Sequence, residues 1–288
     1  MGGLEHATPG VLALLAFAGW MLFRQLARAN SGHRHFIRRI PGVDAIESAV
    51  GRCAELGRPV VFTTALTDVG PVLFACLGVL HSIAKRTAQY KLKLLVPQYS
   101  PEAMAIVEDT VREAYRAAGR ANTFDPKSIV FLSSEQFAFA SGYMGLVHRE
   151  QAGAAFMFGV FAAEALVLAE AGQQVGARQV AASVSPEQVA FFICTCDYTL
   201  IGEELFGASA YMSREPIQVA ALAAQDRVKL LFGVFVVLGV VCATAAQFHP
   251  VFREWMPHHL LVADWTVWRG WLESLVRFES LVDSSVWR

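Results

Sequence analysis

The chain has 288 residues, of which 55% are hydrophobic and 17% charged, and its mean hydropathy is +0.41. That is too apolar for an ordinary globular chain and too polar for a bundle made only of membrane helices, so a mixed protein is expected. The net charge of −1 gives no bulk attraction for nucleic acid.

The first apolar run, GVLALLAFAGWMLF, covers Gly10 to Phe23. With Arg24 and Arg28 snorkelling it extends to a predicted span over about 8–29. The basic residues follow the run, with Arg24, Arg28, Arg34, Arg38 and Arg39 after it. That order argues against a cleaved signal peptide and places the N-terminus outside. Residues 1–34 are therefore predicted to be an N-terminal transmembrane anchor.

Residues 35–226 read as a cytoplasmic domain of alternating helices and strands. Pro41-Gly42 opens an amphipathic helix that stops at Gly57. Strands are predicted at VVFTT (60–64), KLLVPQ (93–98), SIVFLSS (128–134), AAFMFGVF (154–161), RQVAAS (178–183) and AFFICTCD (190–197). Helical patterns fill the intervals. Ser100-Pro101, Ser133-x-x-Gln136 and Ser185-Pro186-x-Gln188 mark helix starts. Near-continuous apolar strands point to a mostly parallel sheet buried on both faces. The predicted fold class is thus α/β, a doubly wound Rossmann-like sheet in the cytoplasm, flanked by two transmembrane helices.

Neither a Walker motif nor a GxGxxG follows a strand, which argues against a P-loop or a conventional dinucleotide site. The ends of the predicted strands collect polar side chains instead. Asp68, Ser133, Glu164, Asp197, Thr199 and Glu203 form the candidate ligand rim. Its carboxylates suit a divalent cation or acid–base work. They equally suit helix N-termini, where a negative charge complements the helix dipole without any ligand. No triad joins the Ser, Cys and His residues. His81 and His148 fall late in helical segments, where a cation complements the dipole. No cofactor and no confident metal site is implied. The five cysteines form no CxxC pair. Cys194 and Cys196 share a face of the last predicted strand and read as core thiols in a reducing compartment.

The second apolar run, Leu230 to Ala246, carries no charge, and residues 227–248 are predicted to be a second transmembrane helix returning the chain outside. The remainder, 249–288, holds all but one of the six tryptophans. It reads as an amphipathic tail at the outer membrane face or on a partner. His249, His258 and His259 lie close together in sequence within it and could bind metal or haem, although adjacent histidines are weak evidence for a ligand set.

Five segments carry a resemblance: RRIPGVDAIESAVGRCAELGRPVVF (38–62), AKRTAQYKLKLLVPQ (84–98), VREAYRAAGR (111–120), a long stretch from Ser133 to Gly172, and CDYTLIGEELFGASAYMSREP (196–216). Together they resemble a family of bacterial membrane proteins described only as a domain of unknown function. The resemblance implies a bacterial membrane protein but no activity, and the charges flanking the two apolar runs add an inner-membrane location with both termini outside and the main domain cytoplasmic. The leading expectation is a non-catalytic scaffold or accessory subunit of a larger membrane complex. Its expected partners are the lipid bilayer, other membrane subunits or copies of itself, with no nucleic acid and with room for a small-molecule ligand. The alternatives are a small-molecule or nucleotide sensor, or a metal-assisted hydrolase, working at the acidic rim.

Overall fold

The computed structural model describes residues 41–213 and 216–248, together with helical residues at 16, 17, 19–21, 23 and 24. It divides into two compact units, Met1–Gln225 and Asp226–Arg288. The first holds a six-stranded sheet in the order β3-β2-β1-β4-β5-β6, with every pairing parallel. The strands are β1 (Val60–Ala65), β2 (Leu94–Gln98), β3 (Ile129–Phe131), β4 (Ala154–Val160), β5 (Arg178–Ser183) and β6 (Tyr198–Ile201). The helices are α1 (Pro41–Leu56), α2 (Pro71–Tyr90), α3 (Pro101–Ala117), α4 (Gln136–Glu150), α5 (Glu164–Gln174), α6 (Pro186–Thr195), α7 (Glu204–Ser213) and α8 (Pro216–Phe248).

Central strands without polar breaks need cover on both sides, and both sides are covered. Every residue of β1 and β2 is buried. One core gathers Ile46, Val50, Phe62, Leu80, Val107 and Phe156 under α1, α2, α3 and α7. The other gathers Val61, Phe139, Tyr143, Met157, Leu168 and Phe192 under α4, α5 and α6. The parallel sheet and its two helical layers fit the Rossmann-like expectation. Strand order reverses between β1 and β4, which is where such a sheet opens a crevice for ligands.

Local chemistry explains the boundaries. Ser100 caps α3 by accepting the Ala103 N–H, and Pro101 supplies the first turn. Lys91, in the left-handed region, ends α2, and Gly57 and Gly176 turn the chain into β1 and β5 with positive φ.

Two expectations are corrected. AFFICT is not a strand. It closes α6, with Val189 and Phe192 buried three residues apart on one helical face. Cys194 is therefore exposed and Cys196 half-buried, rather than both facing one core. The last strand is β6, which follows Asp197.

The second correction concerns the membrane. The run Leu230–Ala246 forms no helix of its own but is the second half of α8. The first half of α8 buries Val219, Ala220 and Ala224 and is followed by Asp226, Arg227 and Lys229. Among the described residues, no helix is long and apolar enough to cross a membrane. The flanking transmembrane helices, the membrane-anchored scaffold or accessory-subunit role, the bilayer and other membrane subunits as partners, and the inner-membrane topology with both termini outside are withdrawn with it. Most of the predicted span over 8–29 and the whole of the 249–288 tail lie outside the described residues.

Candidate functional site

The crevice between β1 and β4 is filled by the chain itself. The β1–α2 loop folds back over the end of β4. Thr67 Oγ1 donates to the Thr64 carbonyl and accepts the Val160 N–H at 2.9 Å. Leu66 N–H donates to the Val160 carbonyl at 3.2 Å. Thr63 Oγ1 donates to the Pro97 carbonyl at 3.1 Å, and Thr64 Oγ1 donates to Gln98 Oε1 at 3.0 Å. Ala65 takes a left-handed φ of 45° beside a bulge in the β1–β4 register. Gly159 has a φ of 142°, and a Cβ there would lie 2.1 Å from Thr67 Oγ1 and 2.7 Å from the Thr64 carbonyl oxygen. The Leu66 and Thr67 amides, which an open loop would offer to a phosphate, are bonded within the chain. Pro71 removes a further N–H at the start of α2.

The rim residues fall at two edges of the sheet. Asp68 is exposed in the β1–α2 loop. Ser133 lies after β3 and accepts the Glu135 N–H at 3.0 Å. Glu164 is buried and fully engaged: Oε1 accepts the Ala162 N–H at 2.9 Å, and Oε2 accepts Gln136 Nε2 at 2.6 Å, tying the start of α5 to the start of α4. Glu203 is exposed after β6, and its carbonyl accepts the Phe206 and Gly207 N–H groups in the first turn of α7. These four lie towards the carboxyl edge of the sheet. Asp197 lies at the amino edge, ahead of β6. There it accepts the Gln179 N–H at 2.7 Å and Arg178 Nη1 at 3.1 Å. Thr199 lies within β6, and its buried Oγ1 has no partner among the described residues. Among those residues, no cluster of three or more His, Cys, Asp or Glu could hold a metal. The acidic rim, with the metal-assisted hydrolase and the rim-based sensor built on it, is corrected. The misread of α6 as a strand had moved Asp197 to the wrong edge.

Other cavities lie among the described residues. One, of about 300 Å³, opens at the amino edge and is lined by Lys93, Tyr115, Asp125 and Glu150 among others. Lys93 Nζ lies 2.6 Å from Glu150 there, and this hydrogen bond holds the Glu150 carboxyl below its usual range. A second, of about 350 Å³, is a polar groove between α1, α2 and α7 in which Arg86 pairs with Glu47.

The third is different in kind. It is a cleft of about 300 Å³ between α2, α7 and α8, with Pro71, Phe74 and Ala75 on one wall, Phe206 and Ser209 on another, and Ala221 and Leu222 on the third. Its polar groups are organised. Ser209 Oγ donates to Gln218 Oε1 at 3.2 Å, and Ser213 Oγ donates to the same oxygen at 3.0 Å. A Cβ at Gly78 would lie 2.3 Å from Ser209 Oγ, so glycine is what lets α2 and α7 approach here. Sequence reading missed this cleft. Ala220 and Ala224, four residues apart, are the sequence signal of a packed helical face there.

Residues 5–253 match a family described as a domain of unknown function (DUF6754). No curated protein and no solved structure matches the chain.

Proposed function

The chain belongs to the DUF6754 family, and on that premise we propose that it is a binding module that takes an apolar group into the cleft between α2, α7 and α8. One observation carries this reading. The cleft has mostly apolar walls, with its serine and glutamine side chains already hydrogen-bonded to one another, at a volume of about 300 Å³. Ligand sites share that combination of apolar walls and few fixed polar groups, and the volume lies at the lower end of their range. Two further features support it. Phe74 lines the cleft and is 54% exposed, an aromatic face open to a guest. The segment CDYTLIGEELFGASAYMSREP, which we take to be a family signature, supplies Phe206 and Ser209.

Native mass spectrometry of the full chain, purified gently from its own cells, tests the proposal. The expected result is a bound organic species that is lost from Ala221→Trp, a substitution at an exposed position that fills the mouth. A bare chain mass in the parent protein, or an adduct that Ala221→Trp retains, would sink it.

A further inference from the structure

The outer edge of β6 is unpaired among the described residues, and its surroundings are apolar. In a parallel ladder, alternate residues of a strand turn both backbone groups to one side. The Gly202 N–H donates to the Ser183 carbonyl at 2.9 Å, and β6 pairs Leu200 with Ala182. Positions 198, 200 and 202 therefore bond towards β5. Thr199 and Ile201 turn their backbone groups outward. The chain blocks one of these itself, since the Ile201 N–H donates to Glu204 Oε2 at 3.1 Å. The Thr199 N–H, the Thr199 carbonyl and the Ile201 carbonyl are left facing out.

We propose that this edge pairs with the same edge of a second copy of this chain, β6 antiparallel to β6, about a two-fold axis at Thr199. The pairing is self-complementary. Each Thr199 donates its N–H to the partner's Thr199 carbonyl, and each Ile201 carbonyl receives the N–H at position 197 of the other copy. The Ile201 N–H keeps its own Glu204 throughout. Two six-stranded sheets become one continuous sheet.

The apolar surface matches what such a contact needs. Phe191 is 47% exposed, Ile193 56%, Tyr198 44% and Ile201 52%. At roughly 200 Å² for each large side chain, they expose about 400 Å² of apolar surface. A stable dimer buries about 800 Å² on each partner, a little over half of it apolar. An isologous contact also explains why an edge strand carries Tyr and Ile where a protected edge would carry Lys or Pro.

The test is sedimentation of the purified full chain over a concentration series, with hydrogen exchange read across residues 197–201. The wild type is expected to dimerise, with the Thr199 amide slowing in exchange as concentration rises. Thr199→Pro removes the outward N–H, and Ile201→Lys charges the edge at an exposed site. Each is expected to weaken the dimer at least tenfold, and Thr199→Val, which keeps the N–H, is expected to leave it intact. Ile201→Lys serves if Thr199→Pro fails to fold. A chain that stays monomeric, an association that both variants leave unchanged, or a Thr199 amide that exchanges equally in monomer and dimer would each overturn the proposal.

Discussion

Gly159 and Thr67 form a latch at the point where strand order reverses. At Gly159 the φ of 142° excludes side chains, and the Thr64 carbonyl would sit 2.7 Å from any Cβ. The obstruction is backbone, so no rotamer change relieves it. Gly159→Ala is expected to cost more than about 2 kcal/mol in urea denaturation. Thr67→Val, which strands the Val160 N–H and leaves the Thr64 carbonyl only its bond from the Thr67 N–H, is expected to cost about 1–3 kcal/mol. Thr67→Ser keeps both bonds and should stay close to wild type. Wild-type stability in Gly159→Ala would show that the loop does not close as described.

The cysteines offer a second test at this scale. Burial pushes the Cys53 thiol up to about 11 and Cys196 up to about 12, from an ordinary value of 9.0. Cys76, fully buried, is raised as well. Cys194 is exposed. In a Cys242→Ser background, a thiol reagent at pH 8 is expected to modify Cys194 rapidly and the other three only on unfolding. These raised thiols also give stability a pH dependence. Below pH 9 both folded and unfolded thiols hold their protons and nothing changes. Above it the unfolded chain loses protons that the folded chain retains, so stability falls between about pH 9 and pH 12. A melting temperature that is flat across that window would contradict the burial of Cys53 and Cys196.

At the scale of elements, Asp197 ties the start of β6 to the start of β5. It accepts one backbone N–H from Gln179 and one guanidinium N–H from Arg178. The Arg178 pair is about a third exposed and contributes little. The backbone bond is the stronger constraint. Asp197→Ala is expected to cost about 1–2 kcal/mol, and Asp197→Asn, which keeps an acceptor for Gln179, clearly less. Equal losses in chemical denaturation would move the weight to the ion pair.

The same element shows how far the sequence could be read. β5 was predicted at its observed bounds, and β1, β2 and β4 to within one residue, because buried parallel strands leave continuous apolar runs between turn signals. α6 was lost because its run is short, aromatic and β-branched, a composition shared by buried strands and buried helices. The Ser185-Pro186 start was the local signal that should have prevailed. The cleft was illegible for another reason. Gly78 is far in sequence from Ser209 and Gln218, and only the packing of α7 and α8 on α2 brings the three together.

For the whole molecule, the informative division falls at Gln225. The unit Met1–Gln225 contains the whole sheet, both cores and every residue of the cleft. An α/β unit of that size buries enough surface to be stable alone. Beyond it, Leu230, Phe232, Val234, Val236 to Leu238, Val240 and Val241 on α8 are each half or more exposed. At 100° per residue they surround the helix instead of forming one stripe, so they add apolar surface without adding to either core. A chain ending at Gln225 is therefore expected to keep a single cooperative unfolding transition and its Ala221→Trp-sensitive adduct. It should also remain dispersed at concentrations where the full chain associates beyond the β6 dimer. Circular dichroism during urea unfolding and light scattering over a dilution series measure the two halves of that expectation. Loss of cooperativity would mean that residues after Gln225 complete the fold. Unchanged scattering would mean that the exposed half of α8 does not drive association.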